Sequence, residues 1–342
     1  MKSNNLIIEA SSDEGLKYLL KNQHKFDLCY IDPPYSTGNV FTYTESRKNA
    51  VSNSRSGNIA YNDKFNREDY LSFLETNIKL AYELLSEQGS FYLHIDYKVG
   101  HYVKILLDNI FGEKNYINEI TRIKSNPKNF YRKGYGNIKD CIFFYSKTGN
   151  HIWNDIREDL TQEDLKKRFN KYEENSGRFY TTVPIHAPGE TTNGESGKKW
   201  KGVYPPEGRH WRVSPSELTK LDNEGLIEWS SNNNPRMKKY ADESKGKKIQ
   251  DIWNFKDPQY PKYPTEKNLN ILDRIVRNSS NKDSMVLDFF AGSGTTGVAC
   301  AKNERGFVLI DQSEIAIDTI KSRLTEESSL TNKEFDTLKL DK

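Results

Sequence analysis

The chain has 342 residues, 29% of them charged, yet its formal net charge is only +3. That length suits one large soluble domain, or a core domain carrying a smaller insert. The mildly basic balance permits a nucleic-acid partner without demanding one, because what matters is where Lys and Arg cluster. Cys29, Cys141 and Cys300 sit in separate apolar runs without a CxxC pair, which argues for buried thiols over a metal site or a disulfide framework. No apolar run reaches the roughly 18 residues of a membrane span, and Met1–Asn5 lacks the apolar core of a signal peptide. The expected location is cytoplasmic.

Leu6–Ile8 reads as a strand, Asp13–Leu20 as a helix and Asp27–Ile31 as a buried strand. A polar stretch from Gly38 to Asn62 reads as a long loop, the kind that is functional or disordered in compact domains. Tyr70, Leu74, Ile78, Ala81 and Leu85 mark one face of a helix over Arg67–Leu85. A strand over Ser90–Ile95, a helix over Val99–Phe111 closed by Gly112, and a strand over Asp140–Tyr145 follow. From His151 to about Tyr260 the pattern breaks into short β-like pieces with Trp200, Trp211, Trp229 and Trp253. Regular alternation then resumes: helix Thr265–Asn278, strand Met285–Phe289, helix Thr295–Lys302, strand Phe307–Ile310 and a helix over Ser313–Leu324 with Ser313 as its cap. The charged tail from Thr325 should fray. Alternating strands and helices predict an α/β fold with a doubly wound parallel sheet.

Two motifs carry chemistry. In Val286-Leu287-Asp288-Phe289-Phe290-Ala291-Gly292-Ser293-Gly294 a strand runs into a glycine-rich turn and a helix. Gly292 and Gly294 let backbone pass close beneath a ligand, and the N–H groups of the helix start face polar ligand atoms. Asp311 ends the next strand, where a carboxylate can accept from ribose hydroxyls. Taken alone, Gly292-x-Gly294-x-x-Gly297 also fits a dinucleotide fingerprint and hence an NAD(P)-linked oxidoreductase.

That rival leaves Asp32-Pro33-Pro34-Tyr35 unexplained. The two prolines fix the backbone and lack N–H donors. The Asp32 carboxylate and the Pro33 carbonyl can therefore accept both hydrogens of a planar NH₂ group, while Tyr35 offers a face for an aromatic ring. Such a grip leaves the nitrogen lone pair free to attack. The bland alternative is a turn bearing a surface Asp.

Together, Asp32-Pro33-Pro34-Tyr35 and Phe290-Ala291-Gly292-Ser293-Gly294 resemble the motifs of amino-methylating DNA methyltransferases. Their order, catalytic motif before cofactor motif, is similar to the β-class, which includes the modification subunits of type III restriction systems. The likeness extends to YNDKF at 61–65, GSFYLHIDYKVGHYVKILLDNIFGEKNYINEI at 89–120, GRHWRVS at 208–214, NNNPRMKKY at 232–240, QDIW at 250–253 and YPTEKN at 263–268. It implies a Rossmann-like, circularly permuted S-adenosylmethionine-dependent methyltransferase fold. Residues 1–150 would be the catalytic part, 151–260 an inserted target-recognition module, 261–325 the cofactor-binding part and 326–342 a charged tail. The chain departs from the family at Phe289, where Pro is usual, at Ser11, which aligns with a cofactor-binding Asp, and in the longer Gly38–Asn62 link.

The resemblance implies methyl transfer to N6 of a flipped adenine, with Asp32, Pro33, Pro34 and Tyr35 catalytic. Cofactor contacts would come from Asp288, Phe290, Gly292, Gly294, Asp311, Thr265, Lys267 and Ser11 or Asp13. Cytosine N4 in DNA, or an RNA amine, would suit the same acid-Pro-Pro-aromatic motif. Double-stranded DNA is the implied substrate; a homodimer and a cognate restriction subunit are partners that the residues do not themselves establish. Basic clusters expected at phosphates are Arg122, Lys124, Lys128, Arg132 and Lys133; Lys199, Arg209 and Arg212; and Arg236 with Lys238. Each is, by itself, equally a solvated face.

Overall fold

A computed structural model describes residues 5–34, 40–44, 47–52, 58–62, 66–127, 133–191, 193–257, 266–328 and 334–340, with the three segments between 40 and 62 described as backbone only. Tyr35, Lys128, Arg132 and Thr265 fall outside the described residues. The chain divides into two compact units, a body of 1–156 and 250–342 and an inserted module of 157–249.

The elements of the body are β1 (Leu6–Glu9), α1 (Ser12–Lys21), β2 (Phe26–Ile31), β3 (Val40–Thr44), β4 (Arg47–Ser52), β5 (Asn58–Asn62), α2 (Arg67–Leu84), β6 (Leu85–Ile95), α3 (Gly100–Phe111), β7 (Tyr116–Ile123), β8 (Lys139–Ser146), β9 (Ile252–Trp253), α4 (Leu269–Ser279), β10 (Met285–Asp288), α5 (Thr295–Lys302), β11 (Gly306–Asp311), α6 (Glu314–Glu327) and β12 (Asp336–Lys339). Nine of these strands form one sheet in the order β9-β7-β8-β6-β2-β10-β11-β1-β12. It is mixed rather than parallel throughout, because β8 runs antiparallel to both β6 and β7. The charged C-terminal stretch does not fray: β12 pairs parallel with β1, from Leu6 opposite Asp336 to Glu9 opposite Lys339. Nor is 38–62 a plain loop, since β3 pairs antiparallel with both β4 and β5.

Central strands are apolar along their length because both faces of the sheet are covered. Neighbouring residues of β11 show this directly. A Cβ added at Gly15 of α1 would lie 2.8 Å from Ile310, whereas one added at Gly297 of α5 would lie 2.6 Å from Leu309. Successive strand residues face opposite sides, so α1 and α5 pack on opposite faces and each needs a glycine for close approach. Helix α2 buries Tyr70, Leu74, Ile78 and Ala81, the stripe read from its periodicity, and Asn66 caps it by accepting the Asp69 N–H at 2.9 Å. Ser313 caps α6, accepting the Ala316 N–H at 3.4 Å. All three cysteines are free and buried. Among the described residues no helix is long and apolar enough to cross a membrane.

The module has its own sheet and core. Lys171–Glu173, Arg178–Pro184, Pro235–Tyr240 and Ile227–Trp229 form a four-stranded antiparallel sheet. Beside it Ile185, Trp200, Trp211, Leu218 and Ile227 make a small core. The three tryptophans near this core all find acceptors: Trp200 Nε1 donates to Thr219 Oγ1 at 2.9 Å, Trp211 Nε1 to the Lys198 carbonyl at 2.9 Å, and Trp229 Nε1 to Asp222 Oδ1 at 3.2 Å. Trp253 is a residue of the body, on β9.

Candidate active site at the strand switch point

Strands β2 and β10 are neighbours, paired parallel through Leu28 opposite Val286 and Cys29 opposite Leu287. From β2 the chain proceeds through α2 to β6 on one side, and from β10 through α5 to β11 on the other. Open α/β sheets bind ligands at such a reversal, outside the carboxyl ends of the strands. Asp32 follows β2 directly, Asp288 ends β10 and Asp311 ends β11. Three carboxylates thus gather along one edge.

Their environments differ. Asp288 is buried and accepts the Phe290 N–H at 3.0 Å and the Thr296 hydroxyl at 2.5 Å. Burial pushes its carboxyl up to about 7, assisted by the charges of Asp32 and Asp311. Through these hydrogen bonds Asp288 ties the glycine-rich turn to α5. Asp311 accepts the Gly292 N–H at 2.8 Å and the Ser313 N–H at 2.9 Å. Burial raises its carboxyl to about 6 against those two donors. Its remaining lone pairs can accept further hydroxyls. Between the two, the backbone passes through positive φ at Gly292 (50°) and Gly294 (75°). A Cβ at Gly294 would also meet Ile320 at 2.8 Å, so this position is glycine for packing as well as for conformation. Phe289 is buried and Phe290 half-buried, with ring centroids 4.9 Å apart.

Asp32 has a close cationic partner: Lys267 Nζ lies 2.5 Å from Asp32 Oδ2, and both side chains are largely enclosed. Lys267, expected at the cofactor, therefore meets the Asp32 carboxylate itself. Pro33 is buried and Pro34 half-buried, as a rigid hinge at the strand end requires. The Ser11 hydroxyl lies 2.9 Å from Asp13 Oδ1 and 2.5 Å from Glu14 Oε2, its one proton directed at this pair of carboxylates at the start of α1. Neighbouring Asp13 is bound to Lys17 at 2.9 Å.

Sequence reasoning missed Arg323. This buried guanidinium on α6 donates through Nη1 to the Ser293 carbonyl (3.0 Å), Ser293 Oγ (2.9 Å) and Thr295 Oγ1 (2.9 Å). Its other nitrogens pair with Glu327 and Glu266, each at 3.1 Å. It joins the glycine-rich turn to the segment that carries Lys267. In the sequence it is one basic residue on a charged helix, with nothing to mark it.

The expected phosphate contacts separate into two groups. Arg122 is 1% exposed and bound to Asp140, Asp257 and the Phe255 carbonyl, so it does not reach a phosphate. Lys124 is half-buried, 3.7 Å from Asp140 and 3.9 Å from Asp96. In the module, Arg236 donates to Thr182 Oγ1 at 2.9 Å and to the Thr182 carbonyl at 2.8 Å, while Lys238 pairs with Glu173 at 2.6 Å. Both serve their own sheet. Lys133, Lys199, Arg209 and Arg212 are exposed. Arg209 and Arg212, together with Arg236, sit near enough to His186 to depress its imidazole, after burial as the larger cause.

Residues 26–322 match the N6/N4 family described as DNA methylase. The chain belongs to that family. Type II methyltransferase M.EcaI of Enterobacter cloacae is 38% identical over 325 residues, spanning 93% of this chain and 69% of that one. The Mod subunit of the type III restriction-modification enzyme StyLTI of Salmonella typhimurium is 28% identical, spanning 91% of this chain and 53% of that one. Among solved structures, the Thermus thermophilus protein TTHA0409 complexed with S-adenosyl-L-methionine aligns over 99% of both chains, with a TM-score of 0.51 at 14% identity. That likeness speaks for the fold. A DNA methyltransferase thus has its glycine-rich turn and its Asp-Pro-Pro segment on adjacent strand ends.

Proposed function

We propose that this DNA methyltransferase moves a methyl group from S-adenosylmethionine to the exocyclic N6 of an adenine flipped out of a DNA duplex. The observation that supports it most is the carboxylate edge. Asp32, Asp288 and Asp311 end or follow adjacent strands, and Asp32 and Asp311 are close enough to raise Asp288. Of these, Asp311 keeps lone pairs for ligand hydroxyls beside the glycine-rich turn, one strand away from the end of β10 and two from Asp32. S-adenosylmethionine supplies a methyl group on a sulfonium, an electrophile open to direct displacement. Asp311 would accept its ribose hydroxyls, and the Phe290–Gly294 turn would lie against its adenosine and methionine parts.

Lys267 engages one oxygen of Asp32. The other oxygen and the Pro33 carbonyl would take the two hydrogens of the target NH₂ and aim its lone pair. Tyr35 would stack on the base. Alignment and preorganised electrostatics carry the rate, with no covalent enzyme intermediate. The amine lies inside the duplex, so the base must leave the stack to reach Asp32. A cytosine N4 amine offers the same two hydrogens and is the second reading. The exposed Lys199, Arg209 and Arg212 of the module would contact phosphates. A restriction subunit is the proposed partner, by likeness to a type III Mod subunit.

The test is Asp32→Ala, measured for methyl transfer and, by calorimetry, for S-adenosylmethionine binding. Transfer should fall about 100–1,000-fold while binding persists. An Asp32→Ala protein that methylates DNA at the parent rate contradicts the mechanism.

A further inference from the structure

Beneath Asp32 lies a file of buried polar side chains crossing four neighbouring strands. Tyr30 on β2, His94 on β6, Asp140 on β8 and Arg122 on β7 are each at most 2% exposed. Tyr30 Oη and His94 Nδ1 are hydrogen-bonded at 3.0 Å. His94 Nε2 approaches Asp140 Oδ1 at 3.0 Å, at an angle short of a well-aligned hydrogen bond. Asp140 Oδ2 accepts from Arg122 Nη1 at 3.3 Å. The remaining donors of Arg122 hold the Phe255 carbonyl at 2.8 Å and the Asp257 carboxylate.

The two ends of this file matter. Tyr30 belongs to the strand that delivers Asp32, and Phe255 and Asp257 belong to the stretch leading toward Lys267. Asp32 and Lys267 meet at 2.5 Å. Asn268 donates to the Lys256 carbonyl at 2.8 Å, tying the stretch of Phe255 and Asp257 to the one that carries Lys267, so the file runs from Asp32 down β2, across the sheet and back to Lys267. Burial alone would raise the Asp140 carboxyl, and His94 first, then Arg122 and Lys267, hold it below its usual range; Lys124 Nζ lies 3.7 Å away. Buried ion pairs seldom stabilise a core more than apolar side chains of the same volume. A charged file here is better explained by orientation than by stability.

We propose that Tyr30, His94, Asp140 and Arg122 are positioning residues that fix the catalytic Asp32 against Lys267, with Arg122 acting from inside the fold instead of at the DNA. This rests on the reading of Asp32 as the acceptor of the target amine. It predicts that kcat depends on the file while DNA and cofactor affinities do not.

The experiment compares Tyr30→Phe, His94→Leu, His94→Gln, Arg122→Met and Asp32→Ala with the parent on unmethylated genomic DNA. Tyr30→Phe removes one oxygen and keeps the ring, so the fold is retained. Expected are kcat losses approaching about 100-fold for His94→Leu and Arg122→Met, with KM and S-adenosylmethionine affinity unchanged. His94→Gln, whose amide can serve both Tyr30 and Asp140, should recover much of the His94→Leu loss. In Arg122→Met, amide exchange should quicken across 255–257 and 266–268, and the salt dependence of binding to a random-sequence duplex should not change. If Asp32→Ala is inactive while Tyr30→Phe and His94→Leu run at the parent kcat, the positioning role is wrong and the catalytic reading stands. If Asp32→Ala is active, the catalytic reading itself has failed. A salt slope lowered by about 0.9 in Arg122→Met, as one lost phosphate contact gives, would return Arg122 to the DNA and overturn the proposal.

Discussion

Replacing Asp288 by Asn should make the protein more stable at neutral pH and leave it little changed in acid. The carboxyl is buried and its pKa stands at about 7, against an ordinary 3.8. The folded state therefore binds this proton more tightly than the unfolded chain does. Its contribution to stability is complete below about pH 4 and is lost as pH rises through about 7. Each pH unit across that window is worth about 1.4 kcal/mol, so the ionised carboxylate costs about 4 kcal/mol at pH 8. From pH 5 to pH 8 the gap between Asp288→Asn and the parent should widen by about 3 kcal/mol in favour of the variant. The amide still accepts the Phe290 N–H, and the Thr296 hydroxyl can reverse to accept from it, so both contacts of the parent persist. Urea unfolding of both proteins at pH 5 and pH 8, without ligand, measures the gap. A gap that does not vary with pH would refute the reasoning, because Asp288 would then not titrate in this range.

Arg323→Met should destabilise the body by about 3–5 kcal/mol in urea titrations, since it removes the buried guanidinium that pairs with Glu266 and Glu327 and holds Ser293 and Thr295. Calorimetry should show weaker S-adenosylmethionine binding in the same variant, because the turn at Ser293 loses its anchor. Replacing Lys199, Arg209 and Arg212 together by Gln should lower the slope of log affinity against log salt by roughly 2–3, at about 0.9 per phosphate. An unchanged slope would remove these side chains from the DNA-contacting face.

What the sequence reveals depends on how local the cause is. Strand β2, helix α2 and the turn at Gly292–Gly294 are legible because burial on a fixed period, or a positive φ, dictates the residues there. Asp32 stands out because an acid beside two prolines follows the end of a buried strand. Arg122 is hidden by contrast. The run from Ile120 to Gly136 contains no acid, yet Asp140 and Asp257 arrive from β8 and from the stretch after β9 to neutralise it. A basic cluster is defined in one dimension and its counterions in three. Arg236 and Lys238 mislead in the same way, with partners on other strands of the module's sheet. Strand β12 was hidden by the charge of the tail, although Leu338 and Leu340 carry the alternation of an edge strand. The file from Tyr30 to Lys267 joins residues distant in sequence and has no local signature.

The central claim is the transfer of a methyl group to an exocyclic amine of DNA. Purified protein, methyl-labelled S-adenosylmethionine and unmethylated genomic DNA test it most directly, with the DNA then digested to nucleosides. The account predicts label in N6-methyladenine. Label in N4-methylcytosine would preserve the grip of Asp32 on an NH₂ group and correct the base. Label in neither, from protein that binds S-adenosylmethionine and DNA, would contradict the account.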